Sequence, residues 1–298
     1  MSRTMLITGA TGFIGSRLAM LALVRGYTVK TLSREDWGDT PSVPASRRYW
    51  GSLPGQIPLE ALKDVDVVVH CAAGMQEDEK IAAAVNVEGT VRLVDLAIRQ
   101  GVETFIFLSS QSARPDALSV YGRTKYAAEQ ALLSKEGISI IILRPGLVTG
   151  PGSNGLYQRL SRLVESMPFI PLVGGGQAVV QPIHVDDLCA AIFRCDEIGA
   201  PLNKTILKLG HPQGVTLAEF LQAIAVARRG CRKPALSIPM WLVEIAVSLV
   251  EKLRIPSGIT RGNLRGLKIV EKMETEADMA RLSLRLRPLE AMVQDSAC

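Results

Sequence analysis

Thr8-Gly9-Ala10-Thr11-Gly12-Phe13-Ile14-Gly15 is the stretch that decides how the rest of this 298-residue chain reads. It follows the short apolar run Met5-Leu6-Ile7, and an apolar helical pattern begins directly after it. A strand that ends in glycines and opens into a helix leaves backbone N–H groups unpaired at the positive end of the helix dipole, where a pyrophosphate can sit. Gly9 permits the tight turn, Gly12 lets the backbone approach phosphates with no Cβ in the way, and Gly15 lets the helix pack close to the strand. The first two glycines are three positions apart, which departs from the common G-x-G-x-x-G spacing. The stretch predicts a dinucleotide-phosphate loop, in which Thr11, Phe13 and Ile14 join the glycines as candidate cofactor-binding residues.

A second pattern lies more than a hundred residues downstream. Tyr121-Gly122-Arg123-Thr124-Lys125 places a phenol and an ammonium four residues apart inside a helical pattern, so both side chains leave one face. A free tyrosine ionises near pH ~10, too high for a base at neutral pH, and a neighbouring ammonium together with a cationic nicotinamide favours the phenolate. Tyr121 can then trade protons with a substrate hydroxyl or carbonyl. Ser110, near the end of an upstream strand pattern, is a candidate hydrogen-bonding partner for the substrate oxygen; Ser109 and Ser112 lie close by.

Strand and helix patterns alternate, which predicts an α/β fold with a Rossmann-type, doubly wound parallel sheet and helices on both faces. Strands are expected near residues 4–8, 28–32, 65–70, 104–109 and 139–144. Helices are expected near 13–25, 79–100 and 121–135, where apolar residues recur at three- and four-residue intervals. The glycine loop, Ala72-Ala73, Ser109-Ser110 and Pro145-Gly146 all follow strand ends, where ligands of such sheets bind. With 47% hydrophobic residues the chain can bury a large core and still provide a second lobe. The expected division is a nucleotide-binding domain over 1–150 with a returning segment at about 178–200, and a smaller C-terminal substrate lobe over 151–177 and 201–298. Thr216-Leu217-Ala218-Glu219 has capping-box spacing and should start a helix running to about Arg228.

Five cysteines without a C-x-x-C pair argue against a disulfide framework, and three histidines without ligand spacing argue against a metal site. The net charge of +5 comes from scattered basic residues, and aromatics make up only 5% of the chain; an anionic cofactor or substrate accounts for the surplus better than nucleic acid does. The apolar start is interrupted by the glycine loop and reads as the first strand rather than a signal segment, so a reducing cytoplasmic setting is the expectation. Residues 239–253 form an apolar pattern with a narrow polar stripe at Glu244, Ser248, Glu251 and Lys252. It is too short and too charged to span a bilayer, and it fits packing over the substrate lobe, with a peripheral membrane contact or a partner helix as the alternative.

Taken in order, the Thr8–Gly15 loop, His70-Cys71-Ala72-Ala73, Asn86-Val87-Glu88-Gly89-Thr90, Ser109-Ser110, Tyr121 with Lys125, Arg144-Pro145-Gly146 and His184-Val185-Asp186-Asp187 resemble the short-chain dehydrogenase/reductase superfamily. The resemblance is to its extended or atypical branch, which includes NAD-dependent epimerases and dehydratases of nucleotide sugars, and it spans about two-thirds of the chain. It implies cofactor contacts from Ser52, Leu53, Cys71, Ala72, Ala73, Tyr121, Lys125, Pro145, Gly146 and Val148. It also implies a homodimer, a small-molecule substrate, and a supporting role for Asn86.

Cofactor choice turns on Leu32-Ser33-Arg34-Glu35, at the end of the second strand. Ser33 leaves room for a 2′-phosphate, Arg34 can grip it, and Arg17 can add to the same pocket, which favours NADP. The alternative is NAD, with Glu35 or Asp36 on the ribose and Arg34 a solvated cation. Two departures from the family pattern stand out. Gly51-Ser52-Leu53 replaces a Gly-Asp-Leu that reaches the adenine, and Val180-Gln181-Pro182-Ile183 replaces an Arg-Asp-Phe stretch of nucleotide-sugar enzymes. Three functions fit these residues. The leading one is an oxidoreductase moving hydride to or from a carbonyl or alcohol with Ser110, Tyr121 and Lys125 as catalytic set. The others are a nucleotide-sugar epimerase or dehydratase and a non-catalytic cofactor-binding assembly factor.

Overall fold

The computed structural model describes residues 2–34, 43–239 and 271–294. Glu35, Asp36 and almost all of the apolar pattern at 239–253 lie outside the described residues. The chain separates into two compact units, one made of residues 1–145, 185–209 and 277–284, the other of residues 146–184, 210–276 and 285–298.

The first unit is built on a seven-stranded sheet. Its strands are β1 (Thr4–Thr8), β2 (Thr28–Ser33), β3 (Arg48–Trp50), β4 (Val67–His70), β5 (Thr104–Leu108), β6 (Ser139–Pro145) and, after other elements, Thr205–Leu209. They lie in the order Thr205–Leu209, β6, β5, β4, β1, β2, β3, and every neighbouring pair is parallel. The sequence explains why. Val67-Val68-Val69-His70 and Thr104-Phe105-Ile106-Phe107-Leu108 are buried at every position, as strands covered on both faces must be. Leu6, Val68, Phe105, Phe107, Ile140 and Ile142 form one cluster with Leu93, Val94 and Ala97 of helix α3 (Gly89–Arg99) and Ala128 and Leu132 of helix α4 (Val120–Leu133). Side chains alternate across a strand, so Met5, Ile7, Val67, Val69, Ile106 and Ile141 face the other way and are equally buried. Helix α1 (Phe13–Val24) and the helix Val185–Ile198 pack together in this unit.

The region expected as one helix over 79–100 is broken. Helix α2 (Glu79–Ala83), N-capped by Asp78, passes into a π-helical turn at Ala84–Glu88 before α3 continues. An extra residue per turn re-aims the side chains that follow it, and such bulges gather at functional sites.

The second unit contains the helices Leu156–Ser166 and Leu217–Arg229 around a core of Tyr157, Val164, Ile170, Phe220, Leu221 and Ile224. Thr216 caps the latter helix in a full capping box with Glu219, and the left-handed Gly230 ends it. Gln181 organises the segments around it. Its carbonyl accepts from Leu147 N–H at 3.1 Å, its amide donates to Met273 O at 2.9 Å, and its Oε1 accepts from Met273 N–H at 2.6 Å. Among the described residues no helix is long and apolar enough to cross a membrane.

Candidate active site

The glycine loop leaves the C-terminal end of β1 and turns into α1. Gly9 has φ +66°, and a Cβ there would stand 2.7 Å from Ala72 N; one on Gly15 would stand 2.3 Å from Gly9 O. Both contacts are far below what a side chain tolerates, so the loop can close only on glycine. Gly12 is the N-cap of α1, no side chain caps it, and the first turn carries no acid. The N–H groups of Phe13, Ile14 and Gly15 would therefore meet an anion with the positive end of the helix dipole behind them. That cradle fits the pyrophosphate of a dinucleotide.

Around it the fold gathers further candidate residues. Gly9 N–H donates to Leu32 O at 3.1 Å and Gly51 N–H to Ser33 O at 3.0 Å, which joins the ends of β1, β2 and β3. Ser52 N–H then donates to Gln56 O, and Leu53 packs against the core and over Gly89. Arg34, next to Ser33, is exposed. Arg17, on α1, is joined to the helix Val185–Ile198. Its Nε and Nη2 donate to the two oxygens of Asp186 at 2.5 and 2.8 Å, so that carboxylate neutralises it.

The Cys71-Ala72-Ala73 segment is tied to the glycine loop by a chain of neutral groups. Thr90 donates its hydroxyl proton to Asn86 O at 2.7 Å, so it accepts from His70 Nε2 at 2.9 Å. His70 Nδ1 then accepts from Thr8 Oγ1 at 2.6 Å, and Thr8 Oγ1 accepts Ala72 N–H at 3.3 Å. Burial and the Lys125 charge pull the His70 pKa down to about 3, so the ring stays neutral. Asn86, in the π turn, accepts Gly74 N–H at 2.7 Å and donates to Gly74 O and to Thr124 Oγ1 at 3.0 Å each. It fastens the segment after β4 to α4, one turn from Tyr121. Thr8, Asn86 and Thr90 lie in stretches that the sequence singles out, but their spacing does not announce these bonds, and Thr124 reads as an ordinary helix residue.

Ser119 caps α4, and Tyr121 stands in its first turn. Gly122 lets the Ser110–Ser112 loop close on that turn, since a Cβ would lie 2.4 Å from Ser112 O. Ser110 Oγ accepts Ser112 N–H at 3.2 Å and lies 3.0 Å from Ser112 Oγ. Gln111 N–H donates to Pro145 O at 3.0 Å. Ser110, Tyr121, Lys125 and Pro145 are thus held on neighbouring elements of the first unit. Gly146 and Val148 belong to the second, where Gly146 lies under Gln181 O, 2.0 Å from where its Cβ would be.

Lys125 is 2% exposed. Its Nζ donates to Leu108 O at 2.7 Å, lies 4.4 Å from the Phe107 ring centroid and 5.9 Å from that of Tyr121. Burial draws its pKa down to about 8, against upward pulls from Cys71 and Glu129. Burial also pushes the half-buried Tyr121 phenol up to about 12 and the Cys71 thiol to about 12. The sequence reading takes the ammonium together with a cationic nicotinamide as favouring the phenolate; in the ligand-free chain burial sets the phenol. Desolvation alone sets that rise, and the ammonium is hydrogen-bonded to a strand carbonyl. Tyr121 is a protonated phenol, a donor.

Residues 5–197 match the NAD dependent epimerase/dehydratase family. The chain belongs to that family. This family member is 30% identical to the UDP-glucose 4-epimerase of Vibrio cholerae, over 87% of its own length and 86% of the relative's. It is 24% identical to the 3-beta-hydroxysteroid dehydrogenase of Mycolicibacterium neoaurum, over 85% and 78% of the two chains. Its fold matches that of MoeE5 in complex with UDP-glucose and NAD, with a TM-score of 0.76 at 22% identity, covering 99% of this chain and 97% of the other. The relatives include epimerases and dehydrogenases of the extended short-chain dehydrogenase/reductase superfamily, and this chain is an enzyme of that superfamily.

Proposed function

We propose that this enzyme is an NAD(P)-dependent oxidoreductase acting on a carbonyl or carbinol carbon of a small molecule. The observation that carries the reading is the ammonium of Lys125, kept almost wholly out of water at the end of β5 and one turn from a protonated Tyr121. A lysine has three donors, and one is spent on Leu108 O; the others suit the ribose hydroxyls of a nicotinamide nucleotide. When bound, the nicotinamide supplies or accepts the hydride. Tyr121 gives its phenolic proton to the substrate oxygen, a positioned transfer worth on the order of 10²–10⁴-fold in rate. Ser110 orients that oxygen. The pairing of Ser33 with an exposed Arg34 at the end of β2 supports NADP over NAD. On the same reading the first unit holds the cofactor and the second serves the substrate. The enzyme works as a homodimer in the cytoplasm, in keeping with the free thiols of Cys71, Cys189, Cys195 and Cys231.

The test is a panel of carbonyl substrates with NADPH and NADH, followed at the reduced-nicotinamide absorbance, for the natural chain and Tyr121→Phe. Turnover should fall at least 10²-fold in the variant while cofactor affinity stays within about twofold. Undiminished turnover would remove Tyr121 from the chemistry, and tighter binding of NADH than NADPH would overturn the cofactor preference. The similarity to the Vibrio cholerae UDP-glucose 4-epimerase supports a second reading, epimerisation or dehydration of a nucleotide sugar. That reading predicts conversion of UDP-glucose with no net change in the redox state of a retained NAD.

A further inference from the structure

One turn beyond Lys125, α4 carries a second buried charge. Glu129 is fully buried; its Oε1 accepts from Ser109 Oγ at 2.5 Å and from Arg144 Nε at 2.8 Å, and its Oε2 pairs with Arg144 Nη2. At a four-residue interval Lys125 and Glu129 share a helix face. Their strand partners are consecutive: Lys125 holds Leu108 and Glu129 holds Ser109. Arg144 reaches in from β6, where Leu143 is in register with Leu108. A dry ion pair is a poor device for stability alone, because apolar residues of similar volume often do as well or better. This one needs another reason to be where it is.

We propose that Glu129 is a positioning residue for the cofactor: its carboxylate is the counter-charge that keeps Lys125 an ammonium at the cleft end of β5. The inference rests on the reading of Lys125 as the group that holds the nicotinamide ribose. The titratable groups facing Lys125 are His70 and Cys71 from β4 and the residue after it, and Tyr121 and Glu129 from its own helix; the Phe107 ring covers it from β5. His70, Cys71 and Tyr121 are all uncharged at neutral pH, for the reasons given above. Among the described groups acting on Lys125, Glu129 is then the anion. Glu129 stands one turn along the same helix face, anchored to the strand residue next to the one that holds Lys125, and burial has drawn the ammonium toward neutrality, so this counter-charge favours its charged form.

Kd for NADPH and NADH, measured by fluorescence titration between pH 6 and 9.5, tests this in the natural chain, Glu129→Gln, Lys125→Met and the pair Glu129→Gln with Arg144→Met. Circular dichroism melts show that each is folded. In the natural chain affinity falls as Lys125 deprotonates near pH 8. In Glu129→Gln the midpoint moves down by on the order of one pH unit. At pH 8 the charged fraction then drops from a half to about a tenth, which weakens binding roughly fivefold, while at pH 6 the two proteins bind alike. The double variant removes the excess cation as well and returns the midpoint part of the way, still below the natural value.

A merely structural role would weaken binding equally at every pH and leave the midpoint in place. That result, or no change at all, overturns the inference while leaving the role of Lys125 intact. Natural affinity and pH profile in Lys125→Met would instead overturn the reading on which the inference rests. If Glu129→Gln alone does not fold, the double variant decides: a midpoint at the natural value overturns the proposal.

Discussion

Replacing Lys125 by Met should make the cofactor-free protein more stable at neutral pH and less stable in alkali. Lys125 titrates near pH 8 in the folded chain against 10.5 for an ordinary lysine. The folded state therefore binds fewer protons than the unfolded state between those two values, and stability rises with pH across that window. At about 1.36 kcal/mol per pH unit, the buried ammonium costs on the order of 3 kcal/mol at every pH below 8. Methionine fills a similar volume without a charge and removes that cost. It also strips Leu108 O of its partner, a loss of about 1–2 kcal/mol. The net is a gain of about 1–2 kcal/mol at pH 7 and a deficit of similar size above pH 10.5, so the two stability curves cross. Urea unfolding of both proteins without nucleotide, followed by circular dichroism at pH 7, 8, 9, 10 and 10.5, measures the curves. A variant that is less stable at pH 7, or a natural chain whose stability is flat from pH 8 to 10.5, would refute the argument that this ammonium is held against desolvation. The trade has a functional sense, since residues that bind a ligand are often held at the expense of the fold.

Gly15→Ala should abolish cofactor binding, because its Cβ would lie 2.3 Å from Gly9 O and 2.9 Å from the Ala10 Cα; calorimetric titration with NADPH reads the loss, and a folded variant that binds normally would contradict the cradle. The His70 ring, with its pKa drawn from 6.5 to about 3, binds fewer protons folded than unfolded between those values. It should therefore lose about 2 kcal/mol of stability as the pH falls from 6.5 to 5, a slope that His70→Gln, with no titrating ring, should not share in matched urea titrations. In the second unit, Gln181→Leu leaves Met273 N–H and O without the amide that pairs with them and should cost about 2 kcal/mol or more in the same assay; a neutral substitution would show that this amide does not join the two segments.

The central sheet was legible because its strands are continuous apolar runs of a length and composition that only doubly covered parallel strands require. Val67–His70 and Thr104–Leu108 fall within one or two residues of where the pattern puts them. The helix after the glycine loop was equally plain. Edge strands escaped, since Arg48–Trp50 is three residues with no alternation to read, and Thr205–Leu209 lies far along the chain from its partner β6. The π turn escaped for another reason. An apolar repeat of three and four residues tolerates one inserted residue, and what makes the insertion worthwhile is tertiary, namely Asn86 bonding Gly74 and Thr124. Glu129 was hidden by its spacing. A glutamate four residues from a lysine on a helix ordinarily reads as a solvated surface pair, and only burial against β5 and β6 turns it into a desolvated clamp.

The same distinction governs the charges. From the sequence, Lys125 stands beside Tyr121 and should act on it through space, and Arg17 stands beside a phosphate loop and should act on the phosphate. In the fold each cation already has an acceptor, Leu108 O for the one and Asp186 for the other. Spacing along a helix fixes which side chains share a face; which of them interact most strongly is set by what the facing strand or helix offers. Here the strand end of β5 offers a carbonyl and a serine in succession, so the ammonium and the carboxylate of α4 are each anchored to the sheet. The phenol that precedes them by one turn is left as the polar group of that face with its proton still to give. An arrangement that anchors the charges and leaves the phenol protonated is what the proposed donation of a proton to a carbonyl oxygen requires.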